Sequence, residues 1–204
     1  MTTIQCRQCP RLSSFLDEVK AEHPDYFCQP VPAFGDPKPK LLIIGLAPGK
    51  HGANRSGRPF TGDYAGIVLY KSLHALGAAS APESLAVDDG LILKGVRITN
   101  AVKCLPPQNK VTADEIKTCN HFLQAELDDL PADCRLLVLG RVAHQGLMRA
   151  WGLKQNTYPF GHGAQHQLPN GRILFCSYHC SRYNIQTRRL SEAMLQQVLS
   201  QALA

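Results

Sequence analysis

The sequence predicts a three-layer α/β/α domain with a central, mainly parallel four-stranded sheet. Four apolar runs have the length and composition of buried strands, at residues 41–46, 96–102, 135–140 and 172–178. Segments with helical periodicity separate these runs. Such alternation is typical of parallel strands that are covered by helices on both faces.

Helical periodicity predicts five helices, at residues 12–21, 65–75, 113–127, 142–151 and 188–203. The third has the clearest start, because Thr112 and Glu115 match the S/T-x-x-E capping box. Gly77 and Gly152 follow the second and fourth helices, where a helix end is expected. The length of 204 residues fits one domain, residues 1–204, and the proline-rich residues 27–40 predict an extended lead into the first strand.

The composition favours a non-membrane protein with a basic surface. No segment approaches the roughly 18 continuous apolar residues of a membrane span, so no membrane partner is expected. The N-terminus has neither the basic start nor the apolar core of a secretory signal, so a cytoplasmic location is expected. The net charge of +6 favours polyanionic partners, although charge alone does not establish DNA binding.

A long glycine-rich segment, Gly45 to Asp63, follows the first predicted strand. Ligands of α/β sheets bind at this end of the strands. The segment is not a phosphate-binding P-loop, because Gly45 and Gly49 enclose too few residues and His51 stands where that motif has Ser or Thr. No G-x-G-x-x-G follows a strand, so a dinucleotide cofactor is not expected.

Eight cysteines in a chain without an export signal favour a metal site over a disulfide framework. Cys6 and Cys9 form a C-x₂-C pair, which fits zinc, an iron–sulfur cluster or redox chemistry. Cys104 and Cys119 form a second pair, with a wider spacing in the sequence. Cys119 also lies on the apolar stripe of its predicted helix, so an ordinary buried cysteine is the alternative there. The remaining cysteines are interpreted as core or incidental thiols: Cys28, Cys134, Cys176 and Cys180.

Three segments and the cysteine set resemble the iron–sulfur uracil-DNA glycosylases, specifically their type-b branch, also called family 5. The segments are Gly45 to Asp63, the strand end at Asn100, and Ser177 to Leu190. The resemblance implies a uracil-DNA glycosylase-like fold and a monofunctional enzyme that flips uracil out of DNA, hydrolyses its N-glycosidic bond and leaves an abasic site. It also implies a cluster-binding segment, residues 1–40, and a [4Fe–4S] cluster on Cys6, Cys9, Cys104 and Cys119.

The resemblance assigns the loop residues to catalysis and base recognition. Asp63 is the catalytic candidate, because a carboxylate can stabilise positive charge at the anomeric carbon and orient a water molecule. The alternative is that Asp63 caps the following helix, and both roles can coexist. Phe60 would stack on the flipped base, although a core position is the commoner fate of phenylalanine. Gly45 and Ala47 complete the base-recognition set.

The other two motifs supply the remaining candidates. Asn100 matches the family residue that reads the base through one amide donor and one acceptor, with a turn or cap role as the alternative. His179 would donate a hydrogen bond to uracil O2 and stabilise the departing base anion, and Asn184 would position water or the loop. Cys180 replaces the motif proline. This change predicts a more mobile or differently arranged loop, with weakened or shifted activity.

The implied partner is DNA that contains uracil or another deaminated base, such as hypoxanthine or xanthine. We expect double-stranded DNA, a monomeric protein, and a place beside the chromosomal DNA in a prokaryotic cytoplasm. Basic side chains and the loop after the motif histidine are the candidate DNA contacts. They are Lys50, Arg55, Arg58, Ser181, Arg182, Tyr183 and Arg188.

A noncatalytic nucleic-acid-binding module, stabilised by a metal such as zinc, is the alternative of a different class. It would retain the pocket without the hydrolytic chemistry, and the departure at Cys180 keeps it open. Release of the base from uracil-containing DNA distinguishes the two classes.

Overall fold

The computed structural model describes residues 3–204, and its central element is a six-stranded sheet. Met1 and Thr2, the first residues of the predicted cluster-binding segment, lie outside the described residues. In chain order the strands are β1 (Phe34–Gly35), β2 (Leu41–Gly45), β3 (Val96–Asn100), β4 (Arg135–Leu139), β5 (Gln165–Gln167) and β6 (Ile173–Ser177). Across the sheet the strand order is β1-β3-β2-β4-β6-β5.

The four central strands, β3, β2, β4 and β6, run parallel, which confirms the predicted parallel core. The sheet has six strands rather than four, because β1 and β5 pair antiparallel with β3 and β6 at the two edges. These edge strands have two and three residues, and both are partly exposed. A strand this short and exposed needs no apolar run, so the pattern that predicts buried strands does not find it.

Seven α-helices lie within residues 3–204, and five of them confirm the predicted helices. Two short helices, α2 (Ala53–Ser56) and α6 (Arg182–Gln186), were not predicted, because four or five residues are too few to show helical periodicity. The last helix begins at Glu192 rather than residue 188, since Arg188 has a left-handed backbone (φ 58°) and Ser191 caps the helix. In chain order the helices are α1 (Pro10–Glu22), α2 (Ala53–Ser56), α3 (Tyr64–Ala75), α4 (Ala113–Asp128), α5 (Arg141–Ala150), α6 (Arg182–Gln186) and α7 (Glu192–Leu203).

Helix α4 begins at the capping box that the sequence predicts. The Glu115 backbone N–H donates to Thr112 Oγ1 at 3.2 Å, and the Thr112 N–H donates to the Glu115 carboxylate at 2.8 Å. None of the helices among residues 3–204 has the length and apolar character needed to cross a membrane.

The two faces of the sheet carry separate apolar cores, because alternate side chains of a strand point to opposite faces. Leu41 and Ile43 of β2 belong to the core that includes α3 and α7. Leu42 and Ile44 belong to the core that includes α4 and α5. The predicted three-layer arrangement is therefore confirmed. Helix α1 packs on a third apolar cluster, which contains the four candidate cluster cysteines.

The parallel strands bring the predicted site residues to one edge of the sheet. In the register of β2 and β3, Gly45 lies beside Asn100. Helix α3 starts at Tyr64, directly after the glycine-rich loop, and the segment with His179 follows β6. The carboxyl ends of three elements and the start of a helix therefore surround the same space.

Candidate active site

A cleft of about 720 Å³ opens at the carboxyl edge of the sheet. Its walls come from the loop after β2, the end of β3, the start of α3 and the segment after β6. The cleft brings together five residues that the sequence assigns to catalysis and base recognition, namely Ala47, Phe60, Asp63, Asn100 and His179. Distant parts of the chain therefore form one pocket at the place where α/β sheets bind ligands.

Gly45 lies close to the side chains of both Asn100 and Phe60. A Cβ atom at Gly45 would contact Asn100 Oδ1 and would lie 2.7 Å from two ring carbons of Phe60. Both side chains are almost fully buried and line the cleft. Only glycine leaves both of them in place, so Gly45 contributes to the pocket by making room for its neighbours.

The two carboxylate oxygens of Asp63 have different surroundings. Oδ1 accepts a hydrogen bond from the Gly66 backbone N–H at 2.8 Å and caps helix α3, which confirms the capping role. Oδ2 faces the loop, where a Cβ atom on Gly52 would lie only 2.5 Å away. Burial raises the pKa of Asp63, and backbone hydrogen bonds from Gly66 and Ala65 oppose that shift. The side chain thus caps a helix and lines the cleft at once.

His179 also lines the cleft, with its ring stacked beside Phe60 at a centroid distance of 5.8 Å and an interplanar angle of 25°. Burial lowers the pKa of His179 to about 4, so its imidazole is neutral at neutral pH. A neutral ring keeps one N–H donor. The Asn184 side-chain amide donates to the His179 carbonyl oxygen at 2.7 Å. The structure therefore places Asn184 behind the histidine, where it holds the backbone.

Cys180 anchors the same segment to helix α3. It is fully buried, as expected for a core thiol, and its S–H donates to the Ala65 carbonyl oxygen at 3.4 Å. The next residue, Ser181, accepts a hydrogen bond from the Asn184 N–H and caps α6. The sequence predicts a more mobile or differently arranged loop here, and in the structure hydrogen bonds tie Cys180 and Ser181 to neighbouring residues.

The cleft is also lined by residues for which the sequence predicts no role in the site. Tyr64 and Ile67 come from α3, His51 from the loop, and Asn109 from the turn before α4. The Arg182 guanidinium lies 5.2 Å from the centroid of the Tyr64 ring. The position of His51 in a glycine-rich loop was a usable signal. Asn109 had none, because nothing in the sequence shows that its proline-rich turn folds over the cleft.

Most of the predicted DNA contacts are accessible. Lys50, Ser181 and Arg182 line the cleft, where a nucleotide would enter. The other accessible candidates lie on the surface outside the cleft lining, and they are Arg55, Tyr183 and Arg188.

Arg58 is the exception, and its predicted phosphate contact is wrong. Its side chain is 4% exposed and forms an ion pair with Asp89. It also donates to Thr61 Oγ1 at 2.9 Å and to Ser84 Oγ at 2.7 Å, and its guanidinium lies 4.6 Å from the Phe34 ring centroid. The loop sequence does not show which basic side chain turns inward, and here Arg58 stabilises the loop from within.

The four candidate cluster cysteines, which come from two separate parts of the chain, line one narrow cavity. Burial raises the pKa of Cys9 to about 11 and that of Cys104 to about 12, and neighbouring cysteines add to both shifts. The Lys103 backbone N–H donates to Cys119 Sγ at 3.3 Å. Within residues 3–204, no three His, Cys, Asp or Glu side chains are already spaced to hold a single metal ion.

Comparison with known proteins identifies the family. The family model of the uracil DNA glycosylase superfamily matches residues 32–203, a range that includes the whole cleft. This chain belongs to the uracil-DNA glycosylase superfamily. The resemblance that the motifs carry is therefore confirmed.

Within the superfamily, the chain is similar to type-5 uracil-DNA glycosylases. The protein of Thermus thermophilus is 47% identical, with 98% of this chain and 94% of the relative covered. That of Mycobacterium bovis is 42% identical, with 97% and 76% covered. That of Pyrobaculum aerophilum is 38% identical, with 98% and 89% covered. Identity at this level over nearly the full chain shows that the chain belongs to the type-5 group of the superfamily.

The interior position of Arg58 predicts a large effect on the stability of this superfamily member. Arg58→Met should lower the free energy of unfolding by about 3 kcal/mol, because it leaves Asp89 partly buried without its cation. Urea unfolding measures the change. Lys71→Met is the matched control, since Lys71 pairs with Glu192 on the surface and its loss should cost about 0.5 kcal/mol at most. Equal losses in the two variants would contradict the structural role of Arg58.

Proposed function

We propose that this chain is a monofunctional DNA glycosylase that hydrolyses the N-glycosidic bond of uracil in double-stranded DNA, acts as a monomer and leaves an abasic site. The observation that carries the proposal is the convergence of Asp63, Phe60, Asn100 and His179 in one cleft. The type-5 relatives are named uracil-DNA glycosylases, which are hydrolases acting on N-glycosyl bonds. Family and cleft chemistry therefore point to the same reaction.

The base binds after leaving the DNA stack, because the bond to be broken is not accessible inside a duplex. Phe60 offers an aromatic ring at the cleft wall, on which any base can stack. Asn100 carries one amide donor and one acceptor, which match the O4 and N3–H edge of uracil. The close packing at Gly45 holds both side chains in place for this contact.

Cleavage separates a positive charge on the sugar from a negative charge on the base. The C1′–N1 bond breaks and its electron pair stays with uracil, so that C1′ gains oxocarbenium character. The Asp63 carboxylate stabilises this cation and orients a water molecule, whose oxygen bonds to C1′ while a proton passes to the carboxylate. The neutral His179 donates its N–H to uracil O2, where the negative charge collects.

Hypoxanthine and xanthine are proposed as further substrates. The cleft volume of about 720 Å³ does not restrict the substrate base to a pyrimidine. Stacking on Phe60 also does not distinguish one base from another. Discrimination would then rest on Asn100, the one amide at the cleft wall that we assign to the base edge.

Asp63→Asn should lower the rate of uracil release by roughly 10²- to 10⁴-fold. Asparagine is also a favoured N-cap, so α3 keeps its cap while the carboxylate charge is lost. The measurement is single-turnover excision from a duplex oligonucleotide with one uracil, followed by alkaline cleavage at the abasic site.

Asp128→Asn is the control for this experiment, because Asp128 is an exposed carboxylate at the far end of α4. It should retain the wild-type rate. Unchanged release in Asp63→Asn would show that the catalytic assignment is wrong. If the wild-type protein yields no cleavable product, the noncatalytic nucleic-acid-binding module becomes the better account.

We also propose that Cys6, Cys9, Cys104 and Cys119 hold a [4Fe–4S] cluster. The donor set fits this group, since four thiolates are its usual ligands and these four cysteines line one buried cavity. The raised pKa values of Cys9 and Cys104 mean that their thiols are protonated at neutral pH unless a cationic group compensates the charge of the thiolates. When bound, the cluster supplies a cross-link between the N-terminal segment and helix α4.

Protein purified under nitrogen should be brown and contain about four iron atoms per chain. Cys119→Ser should lose the colour and the iron, because one of the four thiolates is removed. Cys134→Ser is the matched control, since Cys134 is equally buried but lies outside the cavity. Visible absorption and metal analysis provide the measurement. A colourless protein that contains only zinc would contradict the cluster proposal.

A further inference from the structure

A group of five side chains outside the catalytic set flanks the mouth of the cleft. We call it the cleft rim, and it consists of Glu22, His23, Tyr26, Lys50 and His51. Lys50 and His51 belong to the glycine-rich segment Gly45 to Asp63 and line the cleft itself. The other three follow from the end of α1, so the rim joins the N-terminal segment to the loop that carries Asp63.

The aromatic side chains of the rim hold His51 in a defined orientation. The rings of His23 and Tyr26 are stacked, with centroids 4.4 Å apart and an interplanar angle of 13°. The Tyr26 hydroxyl lies 2.9 Å from His51 Nδ1, and the His51 ring stands edge-on to both other rings. When the hydroxyl donates to Nδ1, the proton of His51 resides on Nε2 and provides a donor at the cleft mouth.

The ion pair of the rim, between Lys50 and Glu22, is exposed to solvent. Lys50 Nζ lies 2.7 Å from Glu22 Oε2, and the two side chains are 33% and 60% exposed. The hydrogen bond from Lys50 lowers the pKa of Glu22, which is therefore ionised at neutral pH. An exposed ion pair of this kind contributes little to stability. Lys50 can therefore exchange the Glu22 carboxylate for another anion.

We infer that the cleft rim binds a backbone phosphate of the DNA strand beside the flipped nucleotide, and that Glu22 occupies Lys50 until this phosphate displaces it. The inference rests on DNA being the substrate of the proposed function. A nucleotide that enters the cleft remains joined to phosphates on both sides, and these lie at the mouth. Lys50 supplies a cation there and His51 supplies a hydrogen-bond donor, while the Glu22 carboxylate weakens the binding of DNA of any sequence.

The test measures binding of undamaged duplex DNA by fluorescence anisotropy over a range of salt concentrations. Glu22→Gln should bind several-fold more tightly at low salt. It should also steepen the dependence of log affinity on log salt by about 0.9, because Lys50 then neutralises a phosphate without first losing its own counter-charge. Glu192→Gln is the matched control, since it removes the partner of Lys71 outside the cleft lining and changes the net charge equally.

Tyr26→Phe tests the second donor of the rim. The variant keeps the ring that stacks on His23 but loses the hydroxyl that orients His51. It should weaken binding roughly two- to tenfold without a change in the salt slope, because the substitution removes a hydroxyl group and no charge.

Three results would overturn the rim inference: no change in Glu22→Gln, an equal change in Glu192→Gln, or no binding of DNA by the wild-type protein. Undamaged DNA is not cleaved, so the result does not depend on catalysis. If DNA binding shows the predicted pattern but uracil is not released, the proposed function fails while the rim inference stands.

Discussion

The close packing of the loop after β2 against β3 and α3 is the constraint on which the cleft depends. Gly45 leaves space for Asn100 and Phe60, and Gly66 lies so near the Phe60 carbonyl that no side chain fits there. Phe60 itself has a left-handed backbone (φ 55°), which a non-glycine residue adopts only where its surroundings enforce it. The same contacts place Asp63 at the start of α3, so one packing arrangement sets the positions of the Phe60 ring and the Asp63 carboxyl group together.

Burial shifts the pKa values of two residues that line this cleft in opposite directions. It raises the pKa of Asp63 and lowers the pKa of His179 to about 4. At neutral pH the imidazole of His179 is therefore neutral and keeps one N–H donor. In the reaction that we propose, positive charge develops on the sugar and negative charge on the base, so a carboxyl group and a neutral N–H donor in one cleft suit the two charges.

The sequence predicts those parts of the fold and site that depend on local pattern. The central strands were predictable because both faces are buried, which produces apolar runs, whereas the exposed edge strands β1 and β5 have no such signal. Motifs predicted the set that converges on the cleft, from Phe60 to His179. They did not predict the inward turn of Arg58 or the approach of Asn109, because tertiary packing alone sets the direction of these side chains.

The catalytic role proposed for Asp63 is best tested by the pH dependence of single-turnover uracil release, measured in the wild-type protein and in Asp63→Asn. In the proposed mechanism the carboxylate form of Asp63 is the active one, so activity should fall as the pH drops through its pKa. That midpoint should lie above 3.8, the ordinary value for aspartate, because burial raises it. This acid limb should be present in the wild type and absent from the slow Asp63→Asn variant. The same acid limb in both proteins would contradict it.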